Sequence, residues 1–495
     1  MEVLQRTANR GSIATGAAYD IDNSLKFEAD NSEYLKANNT FASTTPTSRQ
    51  KGTVSFWIKR TEIGNGVSGK QMYIFASSDS SRYSNLGFDE FDNLTVFSGD
   101  SSWNSVSPYT YNKFRDTSAW YHIVIRYDTT DSTASNRLRV YSNGTEVSWV
   151  TAPNITQDGV MTYSGMNGPC WHSWGTIYSY FTPAKFFSGY LAEAHFVDGQ
   201  SLAPTEFGET DSDSGIWKPK EYDGTYGNCG YYLDFADSGN LGDDESGNGF
   251  DFDENNITAA DQATDTPTNN FATLNVLNAI SNGGGNNEYS EGATKGKALE
   301  TSEMASGTMA VTQGKWYYEC KAVSNSEIMA GWGVPNKWGH HSVNPGYDEH
   351  SFAVHNVGRA YYYGNSYVDF SPSVSFDTND IISVALDADN GFCYWAKNGT
   401  WMNGGSPTSG STGTGGFNYI GGSTGANMKI VDGDFLVPAV RTNYYTNSAI
   451  LLNFGGYTTI SISSAATDAN GYGTFEYAPP SGYYALCTKN LAEYG

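Results

Sequence analysis

A chain of 495 residues exceeds what one sandwich can bury and suits two or three domains, each with its own core. Aromatic residues make up 15% and charged residues only 16%, with abundant Gly, Ser, Thr and Asn, a balance expected of a mostly β chain. The formal net charge of −25 excludes nucleic acid and anionic membranes as expected partners, because affinity for both rests on Lys and Arg.

The cysteines Cys170, Cys229, Cys320, Cys393 and Cys487 are scattered and odd in number, with no CxxC pair, so neither a disulfide framework nor a zinc site is expected. Cys320 and Cys393 fall inside predicted strands, where a thiol acts as a small buried hydrophobe. No apolar run reaches the length of a membrane span, and no membrane insertion is expected. The opening MEVLQRTANRGSIATG has basic residues without the apolar stretch of a secretory signal, which points to a chain made in a cytosol.

Residues 1–23 are polar and Gly/Ala/Thr-rich and read as an N-terminal arm, either a disordered tail or a segment that docks on a partner or on the next domain. The alternation begins at Ser24 with SLKFEAD, a turn at Asn31-Ser32, and EYLKA. Glu28, Asp30 and Glu33 spell the ExDxxE of laminarinase-type glycosidases. That chemistry needs two carboxyl groups about 5 Å apart on one strand face. Asp30-Asn31-Ser32 is turn-forming and sends Glu33 onto a returning strand, so no catalysis is expected here, and the chain is read as a non-enzyme.

Four further runs alternate in the same way: TVSFWIKR (53–60), AWYHIVIRYDTT (119–130), RLRVYSNGTEV (137–147) and FFSGYLAEAHFVDGQSL (186–202). Val54, Phe56 and Ile58 share one face, as do Tyr121, Ile123 and Ile125. Together these runs resemble the laminin-G-like, concanavalin-type sandwich over residues 24–204. The resemblance implies a fold and leaves the ligand open, since this fold serves sugar binding, protein binding, hydrolysis and scaffolding. Within it, Trp171, His172 and Trp174 form an aromatic knot with Pro169 and Cys170. These are ligand-binding candidates, or rings folded under their own loop.

An acidic connector spans residues 205–275, and Lys218 and Lys220 are its only basic residues between 206 and 265. GYYLDF (230–235) and GFDFDENNIT (249–258) alternate and are expected to pair as a hairpin, because a solvated linker has little use for aromatic residues at alternate positions. In the loop between them Asp237, Asn240, Asp243, Asp244 and Glu245 offer oxygens to calcium, or form a solvated acidic turn.

Residues 276–495 are expected to form a second antiparallel sandwich. GKWYYECKAVSN (314–325) and MAGWGVP (329–335) precede a three-stranded meander, DIISVALDADNGFCYWAKNGTWM (380–402), whose turns fall at Asn390-Gly391 and Asn398-Gly399. FLVPAVR (435–441) and AILLNFG (449–455) follow. In order and spacing these segments resemble the SPRY domain, which implies a bent β-sandwich that binds partners through loops and is not an enzyme. Trp338, His340 and His341, close to His350 and His355, fall in a predicted loop. No helical i,i+4 pair is available there for a metal, so a binding-loop role is expected. Tyr361, Tyr362 and Tyr363 must turn at least one ring outward if they lie on a strand, where it can stack on a sugar or serve an interface. The Gly-rich run 404–425 lacks GxxxxGK and reads as a long contact loop, not a phosphate cradle.

LQRTANRGS near the start, SLKFEADNSEYL, DTPTNNFATLN (265–275) and PPSGYYALCTKNL near the end together resemble structural proteins of tailed bacteriophages of aquatic bacteria. The resemblance implies a virion protein, on the tail or a fibre, that binds a host-surface glycan or another virion protein. A homo-oligomer is expected, with three copies. Capsid decoration, a tail adaptor and a glycan depolymerase are the alternatives. No collagen, heptad or β-helix repeat marks an elongated shaft.

Overall fold

Strands form where the sequence alternates. In the computed structural model Val54, Phe56 and Ile58 of the strand Lys51–Arg60 and Ile123, Ile125 and Tyr127 of its neighbour Trp120–Asp128 all lie fully buried in one core. The structure describes residues 19–37, 41, 43–78, 83–99, 105–106, 109–161, 171–179, 182–277, 280–281, 288–297, 303–323, 328–335, 337, 344–364, 366–420, 428–442 and 449–495. Strands account for 41% of it and helices for 7%, as the composition led us to expect. No described helix is long and apolar enough to cross a membrane.

The chain divides into two units between Thr268 and Asn269. One sheet of the first unit runs, edge to edge, Thr145–Glu146, Leu138–Ser142, Trp120–Asp128, Lys51–Arg60, Gly189–Asp198, Ser24–Phe27 and Gln262–Ala263, with Tyr231–Leu233 also paired to Gly189–Asp198. The opposing sheet runs Phe252–Asn255, Tyr34–Ala37, Trp171–Trp174, Met72–Ser78, Tyr83–Phe88, Asn93–Gly99 and Ser105–Val106, with Tyr109–Lys113 on Asn93–Gly99. Leu25, Phe27, Leu191 and Phe196 from one sheet meet Leu35, Phe75, Leu86 and Trp174 from the other.

The acidic segment is ordered, but not as a hairpin and not as a connector. Tyr231–Leu233 joins one sheet and Phe252–Asn255 the other, and Gln262–Ala263 extends the first beyond Ser24–Phe27. The reason is the position of the apolar residues. Tyr231, Leu233, Phe235, Phe250 and Phe252 all belong to the core between the sheets, so the intervening loop carries the chain from one sheet to the other.

In the second unit one sheet runs Ile280–Ser281, Glu303–Ser306, Val437–Thr442, Met329–Gly333, Ser351–His355, Arg359–Tyr362 and Ser366–Asp369. The other runs Glu288–Ser290, Lys295–Lys297, Ala449–Asn453, Lys315–Ala322, Ile381–Asp387, Phe392–Lys397 and Thr400–Trp401. Ile382, Val384 and Leu386 face the core as the period of two requires, with Cys320 and Cys393 fully buried among them. Asn398-Gly399 is a two-residue turn with both φ angles positive, as is Asn143-Gly144 in the first unit. At Asn390-Gly391 only the glycine has positive φ, because Asp387 pairs with Phe392 and the loop holds four residues.

The second face of the Ile381–Asp387 strand is covered. Ser383 is 1% exposed and Ala385 fully buried, beneath Phe475, Tyr483 and Cys487 from the last stretch of chain. That stretch ends in the α-helix Thr488–Tyr494.

Candidate functional site

The exposed aromatic surface that the sequence points to lies on the hairpin at the edge of one sheet of the second unit. Arg359–Tyr362 and Ser366–Asp369 pair so that Tyr361 opposes Tyr367 and Arg359 opposes Asp369. Side chains alternate across a strand, so these four share one face, while Ala360 and Tyr362 take the other and Tyr362 packs on Phe417 at 5.4 Å. On the outer face the Tyr361 ring lies 5.6 Å from Tyr367, 5.9 Å from Tyr347 and 5.3 Å from His355. The Arg359 guanidinium sits 4.3 Å above the Tyr367 ring while its Nε donates to Asp369 Oδ1 at 2.6 Å. That bond to Asp369 raises the Arg359 pKa.

Backbone contacts hold the surface in place. Gly346 N donates to Ser351 Oγ, Tyr363 N to Asp348 O and Gly364 N to Tyr347 O, which ties the loop before Ser351–His355 to the hairpin turn. Gly346 has φ +92°, and a Cβ there would meet the Tyr361 carbonyl oxygen at 2.3 Å, so only glycine lets Tyr347 approach this closely. Tyr367 is 45% exposed and Tyr363, at the turn, 38%. Open rings beside a guanidinium and a carboxylate supply both a stacking surface and directional hydrogen bonds. Tyr347, Arg359, Tyr367 and Asp369 escaped the sequence reading, although period two across the Gly364 turn pairs position 361 with 367.

Trp338, His340 and His341 lie outside the described residues. The aromatic knot of the first unit divides by strand parity. His172 and Trp174 are not ligand-facing: both are fully buried, and His172 Nδ1 and Trp174 Nε1 each lie 3.2 Å from Tyr231 Oη. Phe41, Phe75 and Phe196 rings surround His172 at 4.6, 5.0 and 4.7 Å. Trp171 takes the other side of the strand, half-buried, with Lys36 Nζ 5.9 Å from its ring.

The acidic loop does not converge on an ion site. Asp244 is 8% exposed and accepts the backbone N–H groups of Tyr232 and Ser246 on Oδ1 and of Phe250 on Oδ2. Asp237 accepts from Gly239 N, and Asn240 donates to Asp243. Neighbouring carboxylates, Asp234 first among them, raise the Glu245 pKa. Among the described residues no group of three or more His, Cys, Asp or Glu side chains could hold a metal ion. Loop carboxylates here cap turns, the role that Asp and Asn fill wherever a backbone N–H needs an acceptor. Glu28 and Glu33 are likewise engaged, Glu28 with Ser188 Oγ and Glu33 with Lys26, Asn31 and the Glu28 N–H.

A second cluster was not foreseen. In Gly189–Asp198 a bulge sets Glu193 and Ala194 against the one residue Phe56, and Glu193 adopts φ +52°. Glu193 accepts from Tyr19 Oη and Tyr232 Oη, both at 2.7 Å, while His195 stacks on Tyr232 at 4.3 Å and meets Tyr226 Oη at 3.0 Å. Burial first, and then the Glu193 charge, push the Tyr19 and Tyr232 phenols upward, so both remain donors. Tyr19 thereby docks the end of the predicted arm on the first unit; residues 1–18 lie outside the described ones.

Residues 30–202 match the family model described as the concanavalin A-like lectin/glucanases superfamily, so the first unit carries a lectin-type sandwich fold. No curated protein matches the chain. Among solved structures, a native heptameric SAP-like pentraxin from Limulus polyphemus is 17% identical with a TM-score of 0.27, over 38% of this chain and 80% of that one. The SPRY domain of human HERC1 is 16% identical with a TM-score of 0.25, over 36% of this chain and 96% of that one. The TRIM65 PSpry domain is 12% identical with a TM-score of 0.25, over 37% and 88%.

Proposed function

We propose that this chain is a non-enzymatic virion protein of a tailed bacteriophage, on the tail or a fibre, that binds a host-surface glycan. The observation that carries the binding role is the Tyr361–Tyr367 pair with Arg359 and Asp369 on an open hairpin face. Aromatic rings take the C–H faces of sugars, and the charged pair orients the hydroxyls. The virion setting rests on the resemblance of LQRTANRGS, SLKFEADNSEYL, DTPTNNFATLN and PPSGYYALCTKNL to phage structural proteins. Weak single contacts gain strength from several copies, and a homo-oligomer of three is our expectation.

The first unit serves as scaffold in this reading, because the outer face of its Lys51–Arg60 sheet is occupied by its own chain: Trp217 lies over His122, and Phe207 and Tyr222 over His195. The test is adsorption of particles carrying Tyr361→Ala with Tyr367→Ala. Loss of adsorption with the protein still present on the particle supports the reading. Normal adsorption leaves a structural part, capsid decoration or tail adaptor, in its place. Release of reducing ends from host polysaccharide by the purified protein would instead make it a depolymerase.

A further inference from the structure

Three ionisable side chains of the first unit are buried together on the outer face of the strand Ser24–Phe27. Leu25 pairs with Gln262, which brings Asp261, the last residue of the 3-10 turn before that strand, beside Lys26, and Leu25 and Phe27 face the core while Lys26 turns away from it. Lys26 Nζ lies 2.7 Å from Asp261 Oδ1 and 2.9 Å from Glu33 Oε1. The side chains are 1%, 9% and 2% exposed. Asp261 Oδ2 is pinned by the Thr258 N–H and hydroxyl, and Glu33 Oε2 by the Glu28 N–H at 2.7 Å, so neither carboxyl group can swing away.

We propose that Lys26 and Asp261 join in an intramolecular isopeptide bond, with Glu33 as the proton relay. Lys26 Nζ passes one ammonium proton to Asp261 Oδ1, 2.7 Å away, and as the neutral amine gives a second proton to Glu33 while it attacks Cγ of the Asp261 carboxyl group. A C–N bond forms, the C–OH bond breaks, and Glu33 returns the proton to the departing hydroxyl, which leaves as water. An ammonium and a carboxylate are consumed, one amide and one water are produced, and no oxidant or cofactor takes part. Burial makes this sequence favourable, since a charged amine and two carboxylates are costly in a dry site and the amide is neutral. The same burial, partly offset by Lys26, holds the Glu33 carboxyl above its ordinary range and suits it to carry a proton. Proximity supplies the rest, as the reacting groups are already held in contact.

Two other lysines of the same unit mark what is special here. Lys218 also has two carboxylates, Glu209 at 3.2 Å and Asp211 at 3.3 Å, but is 29% exposed, and water stabilises its charge. Lys59 is as buried as Lys26, and the Trp120 indole that donates to its partner Asp265 is no proton acceptor. The bond would fasten the end of the acidic segment to the first strand of the sandwich.

Intact-mass spectrometry of the denatured full chain decides. The wild type is expected to weigh one water less than its sequence. Trypsin should then leave residues 11–36, uncut at Lys26, joined to residues 221–295. Lys26→Arg, Asp261→Ala and Glu33→Gln should each restore the full mass. A wild-type chain at its full sequence mass overturns the proposal even if no variant folds, and so does a missing water that Lys26→Arg also shows or that maps to other peptides.

Discussion

In the first unit the chain after Pro204 turns back over the outer face of the sheet that holds Lys51–Arg60, and in the second the chain after Phe454 covers the outer face of the sheet that holds Lys315–Ala322. The two overlays cover charges in different proportion. In the first unit Lys59 pairs with Asp265 at 2.7 Å and Lys26 with Asp261, all four buried, and Glu193 takes the Tyr19 and Tyr232 hydroxyls, whereas in the second Asp387 pairs at 2.9 Å with a Lys315 that stays partly open. His122 takes part as a neutral ring, stacked on Trp57 at 4.8 Å, accepting from Trp217 Nε1 on Nδ1 and meeting Ser55 Oγ at 2.8 Å through Nε2. Glu319, fully buried in the second unit, draws its hydrogen bonds from neutral donors: the N–H groups of Glu476 and Tyr477, the Tyr317 hydroxyl and Asn453 Nδ2. An ion pair fails when either charge is lost, because the survivor stays buried, whereas a carboxylate held by neutral donors leaves only unsatisfied N–H groups behind.

The contrast sets an order of effects. Asp265→Ala strands the Lys59 ammonium and is expected to cost the first unit about 3–5 kcal/mol. Hydrogen exchange read separately over 19–268 and 269–495 should show the loss in the first range alone; equal loss in both would remove the distinction between the units.

Acid is the second lever. Burial lowers the His122 pKa from 6.5 to about 3, so between those values the unfolded chain binds the proton and the folded chain does not. The stability from this residue is present above pH 6.5 and fades toward pH 3, a change on the order of 5 kcal/mol. Glu319 has the opposite sign: burial raises its pKa, so its penalty on the folded state shrinks as pH falls through the raised value. Urea titrations of wild type and His122→Gln at several pH values isolate the histidine; an unchanged acid slope in the variant would refute it.

Glu319→Gln should cost the second unit less, about 1–3 kcal/mol, since one amide oxygen still accepts while its NH2 group faces donors. Local exchange at Glu476 and Tyr477 should speed up first. The smallest effect on stability belongs to Tyr361→Ala with Tyr367→Ala, within roughly 0.5–1 kcal/mol because Tyr367 is largely open, despite the largest effect on adsorption. A melting shift as large as that of Asp265→Ala would make these rings structural.

Period two along the chain settled a good deal about this protein unaided. It identified the strands, grouped Val54 with Phe56 and Ile382 with Val384 and Leu386, and required an outward ring among Tyr361 to Tyr363, because neighbouring side chains on a strand must point to opposite sides. It did not assign a side to the core. Trp171 and Trp174 differ in fate because they stand an odd three positions apart, and which one lies inside depends on the strands Tyr34–Ala37 and Met72–Ser78 that flank them. Nor does alternation say what covers an outward face. Trp57, His122, Tyr317 and Glu319 all point away from their sandwich cores and are nonetheless buried, by segments distant in sequence. Local sterics dictate which residues share a face, whereas the covering of that face depends on chain returning from far along the sequence, and only the tertiary structure decides where it lands.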